Sequence, residues 1–178
     1  LAACRASKCA DLEHVVLLAL LTGMRRGEIL GLRWEHVDLE RRRLILTETK
    51  NDERRQVPLV TQAMQVMKSR PRLDQRPSAL VFASPRGAGR PVSIEHAWRR
   101  AVSRAGLQDF RFHDLRHTAA SYLAMTGATT QEIGNVLGHK TLAMVQRYAH
   151  LTLDSAESAL NRMAQAKFGE GAESDCAQ

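Results

Sequence analysis

His113-Asp114-Leu115-Arg116-His117, followed by Leu137-Gly138-His139-Lys140 and then Gln146-Arg147-Tyr148-Ala149-His150, sets one tyrosine among imidazoles and guanidiniums. A neutral phenol is a weak nucleophile, because with a pKa of about 10 only about one in a thousand is ionised at pH 7. Tyr148 would need cations beside it and a base for its proton before it could attack a phosphodiester. This part of the chain supplies both kinds of group. Its local signals are helical: Thr129 with Glu132 makes a capping box, and Gly127 and Gly138 are placed as helix stops. Residues 113–125, 130–137 and 141–150 therefore read as three helices.

Upstream, the chain is mostly helical with a small β insertion. Asp11 stands where it could cap a helix whose apolar run Val15, Val16, Leu17, Leu18, Leu20, Leu21 is nearly continuous, so that it should be buried on most sides, with Gly23 to end it. A short helix from Glu28 to Trp34 follows. Residues 43–47 and 56–59 read as strands flanking the polar turn Lys50-Asn51-Asp52-Glu53, the clearest hairpin in the chain. A helix over 61–69, a Pro/Arg-rich loop over 70–77, a strand over 80–82 and a helix from Ser93 to about Ala105 come next. After Asp154 a last helix carries Ala156, Leu160 and Met163 at the spacing of a buried stripe. The fold class is mainly α with a small antiparallel β-hairpin, α+β. Residues 1–168 read as one domain and 169–178 as a disordered tail.

Composition points to a polyanionic partner. Twenty-six Lys+Arg against nineteen Asp+Glu leave a net charge of +7, with an isoelectric point near 9.9. Aromatic residues are only 4% of the chain, which disfavours stacking on splayed bases and favours contact with a duplex backbone. Cys4, Cys9 and Cys176 are odd in number and lack zinc spacing, which suits a reducing, cytoplasmic setting. No apolar run approaches the roughly 20 residues of a membrane span, and no signal peptide is visible. The first residue is Leu1, so the chain reads as a fragment of something longer.

Five segments together carry a resemblance: Thr22-Gly23-Met24-Arg25-Arg26-Gly27-Glu28, the lysine-bearing hairpin ending Val57-Pro58-Leu59, His113-Asp114-Leu115-Arg116-His117, Leu137-Gly138-His139, and Tyr148. In order and spacing, residues 10–155 or so resemble the catalytic half of tyrosine recombinases of the phage-integrase type. The resemblance implies that family's catalytic-domain fold, with the helical core-binding domain that clamps DNA absent from this chain. It implies Arg25 and Arg116 as paired arginines, Lys50 as the hairpin lysine, His113 and His139 as the two histidines, Tyr148 as nucleophile and Glu28 as the acidic brace. It further implies double-stranded DNA as substrate, four protomers on two synapsed duplexes, and neither cofactor nor metal.

The chemistry of these residues agrees. Cleavage of a phosphodiester by a side chain builds charge on the non-bridging oxygens, which a planar guanidinium can meet with two hydrogen bonds. Arg116 lies three positions after His113, on one helical face. Histidine as a residue type titrates near neutrality, so His113 can take the phenolic proton, and His139 could donate to a non-bridging oxygen. Lys50 would protonate the leaving 5′ oxygen, with Arg54 or Arg55 on the returning strand as alternatives. Each residue also has a plainer reading: surface ion pairs for the arginines, a solvated turn lysine, helix-face or loop histidines, and a macrodipole partner for Glu28. Tyr148 could be a half-buried aromatic, although Tyr122, on an Ala/Leu/Met face, suits a core role better.

Rival functions fit less well. His113 and His117 have the four-residue spacing of a zinc-protease helix, but Asp114 replaces the glutamate and Arg116 would set a cation beside the metal. Gly134 to Thr141 departs from a phosphate-binding loop in spacing, and Glu35, Asp38 and Glu40 sit among basic neighbours rather than as a two-metal cluster. A non-catalytic helical DNA-binding module would not need a nucleophile, acid and base together. Type IB topoisomerases share the chemistry; the helix after Tyr148 favours a recombinase, since such a tail can hook onto a neighbouring protomer.

Overall fold

Residues 15–21 are uniformly apolar, and in the computed structural model they lie in the helix around which the core is built. The structure describes residues 1–46, 55–71, 76–138, 143–146, 148, 160–161 and 163–165. A short α1 (Ala2–Arg5) precedes this helix, α2 (Leu12–Thr22), which buries Leu12, Val15, Val16, Leu18, Ala19 and Thr22. Gly23 closes α2 in the left-handed conformation at φ +61°, its N–H donating to Ala19 O. Asp11 holds the N-cap position without capping, because its carboxylate pairs with Arg70 instead.

The helix expected from Glu28 to Trp34 is divided. α3 (Arg26–Leu30) stops at Gly31, and Trp34–His36 form a separate 3₁₀ turn. The reason is tertiary: Trp34 N and Glu35 N donate to Ala79 O and Pro77 O rather than to a continuing helix. β1 (Val37–Asp38), β2 (Arg43–Leu46) and β3 (Arg55–Pro58) then build an antiparallel sheet in that order, Leu44 facing Val57 and Leu46 facing Arg55. Alternation turns Leu44, Leu46 and Val57 into the core. The turn between β2 and β3, with Lys50, lies outside the described residues. Leu80 to Phe82, expected as a strand, is not one. Leu80 makes an isolated bridge to Arg33, while the neighbouring hairpin consists of β4 (Ala83–Ser84) and β5 (Gly87–Pro91). The apolarity of that run serves burial, Val81 and Phe82 being enclosed, and not a pleated face.

α4 (Thr61–Ser69) buries Ala63, Met64, Val66 and Met67 and packs on α2. α5 (Glu95–Arg104) packs on α1 and buries Trp98, whose ring meets Phe112 edge-on at 5.2 Å and Phe110 at 5.9 Å. These elements belong to a first compact unit of residues 1–120 and 136–138, which also holds the start of α6 (Asp114–Met125) and the end of α7 (Thr130–Leu137).

The second unit comprises residues 121–135 and 139–178. Its capping box is as read: Thr129 N donates to Glu132 Oε2 at 2.7 Å, and Glu132 N to Thr129 Oγ1 at 3.2 Å. α8 (Ala143–Gln146) passes close to α7, since a Cβ at Gly134 would lie 3.5 Å from Val145 Cγ2. Leu160 and Met163 are helical but exposed, at 61% and 51%, rather than folded back as a buried stripe. Ala156 and the tail from Gly169 lie outside the described residues. Among those described, no helix is long and apolar enough to cross a membrane.

Candidate active site

Glu28 is the node of the first unit's charged network. Arg25 occupies the N-cap of α3, and Glu28, three residues on, reaches back to it: Arg25 N donates to Glu28 Oε2 and Arg25 Nη1 to Glu28 Oε1, both at 2.8 Å. The carboxylate is nearly enclosed, with its side chain 9% exposed, while that of Arg25 is 45% exposed. Glu28 thus anchors a guanidinium that still faces water. Arg55, the first residue of β3, approaches the same carboxylate from the sheet, its Nη2 lying 3.2 Å from Glu28 Oε2. Burial presses the Arg55 guanidinium below its ordinary pKa, Glu28 opposes that shift, and Arg25 adds to it.

The second arginine is held differently. Arg116, near the start of α6 and only 4% exposed, donates from Nη1 to Gly23 O and from Nη2 to Leu137 O, each at 2.5 Å. It joins the end of α2 to the end of α7. Carbonyls at a helix C-terminus lack intrahelical partners and carry the negative end of the dipole, so a cation is well suited to bind them. Arg55 does the same for the preceding residue, donating from Nη1 to Val136 O at 3.1 Å. Gly138 then turns the chain at φ +65°. One hydrogen-bonded series therefore connects Arg25, Glu28, Arg55, the 136–137 carbonyls, Arg116 and Gly23.

His113 precedes α6 and is exposed; its ring meets that of His117 edge-on, with centroids 5.3 Å apart. Among the described residues no three His, Cys, Asp or Glu side chains gather to hold a metal ion. A cavity of about 480 Å³ beside Glu28 is lined also by Arg33, Glu35 and His36. Tyr148, in the second unit, is 5% exposed and its N–H donates to Val145 O at 2.9 Å. Tyr122 is 59% exposed, so the core role expected for it is wrong; its position on α6 turns it outward. Lys50 and His139 lie outside the described residues. Arg25, Glu28 and Arg116 share the first unit and its hydrogen-bond series. Arg55, read only as a substitute for Lys50, instead faces Glu28 and Val136. No local sequence signal marks that role, because the carbonyl it grips is 81 residues away.

The fold is that of a tyrosine recombinase catalytic domain. The solved catalytic domain of bacteriophage HP1 integrase superposes with a TM-score of 0.71 at 27% identity, covering 93% of this chain and 89% of that one. Phage integrase family sequences match over residues 1–154, and the chain belongs to that family. The shufflon-specific DNA recombinase of Escherichia coli is 38% identical over 135 residues, 75% of this chain and 33% of that protein. Tyrosine recombinase XerD of Corynebacterium glutamicum is 34% identical over 156 residues, covering 82% of this chain and 50% of that protein. The integrase of Salmonella phage P22 is 36% identical over 152 residues, covering 79% and 39%. The chain spans about a third to a half of the length of these curated relatives.

Proposed function

We propose that this chain is the catalytic part of a site-specific DNA recombinase that cuts and rejoins duplex strands through Tyr148. The buried Arg116, oriented by two backbone carbonyls before any substrate arrives, is the observation that carries this reading. A guanidinium fixed in this way loses little freedom on meeting a phosphate, which is how preorganised donors stabilise developing charge. Arg25, braced by Glu28, supplies the second cation. His113 takes the phenolic proton as the Tyr148 oxygen bonds to phosphorus, and Lys50 returns a proton to the departing 5′ oxygen. His139 donates to a non-bridging oxygen. The products are a 3′-phosphotyrosyl link and a free 5′ hydroxyl, and attack by a partner strand's 5′ hydroxyl reverses the step. One phosphoester replaces another, so no ATP is consumed, and the two arginines do the charge stabilisation that a metal does elsewhere. Residues 1–168 act as the catalytic domain, 169–178 as a tail, in a homotetramer on two DNA sites within the cytoplasm. All three curated relatives named above are called recombinase or integrase, which favours strand exchange over relaxation by a topoisomerase.

Tyr148→Phe tests the reading. In the complete protein, nicked suicide substrates run on denaturing gels should trap covalent DNA with the parent and none with the variant, while folding and DNA affinity persist. An undiminished adduct would move the nucleophile away from Tyr148, to Tyr122 or to a tyrosine outside these 178 residues.

A further inference from the structure

We infer that Arg55 is a positioning residue for this reaction: it grips the end of α7 and sets where the chain turns at Gly138, ahead of residue 139. The inference rests on the recombinase reading, in which His139 donates to the phosphate. Three observations carry it. Arg55 bridges two otherwise separate elements, with Nη1 on Val136 O at 3.1 Å and Nη2 on Glu28 Oε2 at 3.2 Å. Gly138 leaves the room it needs: a Cβ there would lie 2.6 Å from both Arg55 Cδ and Nη1, so backbone and guanidinium are in direct contact. Arg55 Nε is buried with no hydrogen-bond partner among the described residues, an arrangement that disfavours the fold and that mere packing would not require. With Leu137 O held by Arg116, two successive carbonyls before residue 139 are each fixed by an arginine.

Glu28 makes the charge tolerable. Its carboxylate opposes the effect of burial on Arg55 and holds Arg55 to the same brace that serves Arg25. A guanidinium is suited to this because its fork reaches two acceptors at once, which a single ammonium cannot do in that geometry.

The test combines two measurements on the complete protein. Amide hydrogen exchange without DNA should be faster at Gly138 and His139 in Arg55→Met, and in Arg55→Lys should the first variant fold poorly, with α2 exchanging as in the parent. Unchanged exchange at the turn, or an equal rise in α2, would overturn the inference. Single-turnover adduct formation on nicked suicide DNA should fall by about 10²-fold in Arg55→Met with gel-shift affinity unchanged. The double variant with His139→Ala should be no slower than the slower single variant, since both remove the same donor from its place. Rates that multiply would overturn the assignment, because Arg55 would then act independently of residue 139. A parent that forms no adduct at all would remove the recombinase reading and the reaction assigned here, and exchange would still report whether Arg55 holds the turn.

Discussion

Arg25 and Arg116 carry the same side chain into opposite surroundings. Arg25 makes a half-exposed ion pair, of a kind that contributes little to stability. Arg116, only 4% exposed, satisfies two carbonyls. Arg116→Lys should therefore cost about 2–3 kcal/mol, since a lone ammonium leaves one buried carbonyl unmatched, whereas Arg25→Lys should leave the urea midpoint nearly unchanged. Equal midpoint shifts would show that the carbonyl contacts do not hold Arg116 in solution. Lys50 serves a different atom on the proposed mechanism, and sulfur chemistry isolates it. A bridging 5′ sulfur leaves as a thiolate, with a thiol pKa of about 8.5, and needs little protonation. Lys50→Ala, slowed about 10²–10⁴-fold on the oxygen substrate, should cleave the sulfur substrate nearly as fast as the parent, while Arg25→Ala and Arg116→Ala stay slow on both. Rescue of Arg54→Ala with Lys50→Ala still crippled would transfer the acid's role to Arg54.

α7 is specified at both ends by different physics, and its start is the more easily disturbed. The Glu132 carboxylate accepts from Thr129 N and Thr129 Oγ1, which hold its pKa below the ordinary carboxylate value, the backbone bond counting most. A depressed folded pKa means that the stabilisation is present above the unfolded value of about 4.3 and is lost as pH falls through the folded one. The difference in denaturation midpoint between the parent and Glu132→Gln should therefore be present at pH 7 and shrink in acid. Thr129→Ala should cost about 1 kcal/mol, measured the same way. This cap was legible from four residues, as were α4 and the glycine stops after α2 and α7, because their causes are local. β1 was not legible, since two residues form a strand only when β2 is beside them. The run Leu80 to Phe82 misled because apolarity reports burial without saying whether the backbone is pleated.

At the scale of the whole molecule, the net charge of +7 and the exposed tail helix set separate expectations. If about six phosphates are engaged, duplex affinity should fall by about 10³ between 50 and 200 mM salt, and a flat response in fluorescence anisotropy would contradict backbone binding. Truncation after Thr152 removes Leu160 and Met163, which are exposed, so the chain's own stability should hardly change. Gel shifts should instead lose their higher-order complexes while single-site binding persists; normal higher-order complexes would end the intermolecular role of the tail. The candidate residues themselves could be found from motif spacing, but the framework holding them could not, because its bonds join residues far apart along the chain. Arg116 reaches back 93 positions to Gly23 and forward 21 to Leu137. During synthesis, then, the ribosome must release the chain well beyond residue 137 before this arginine has both its supports. Until then a nascent polypeptide can form α2 but cannot fix this guanidinium between Gly23 and Leu137.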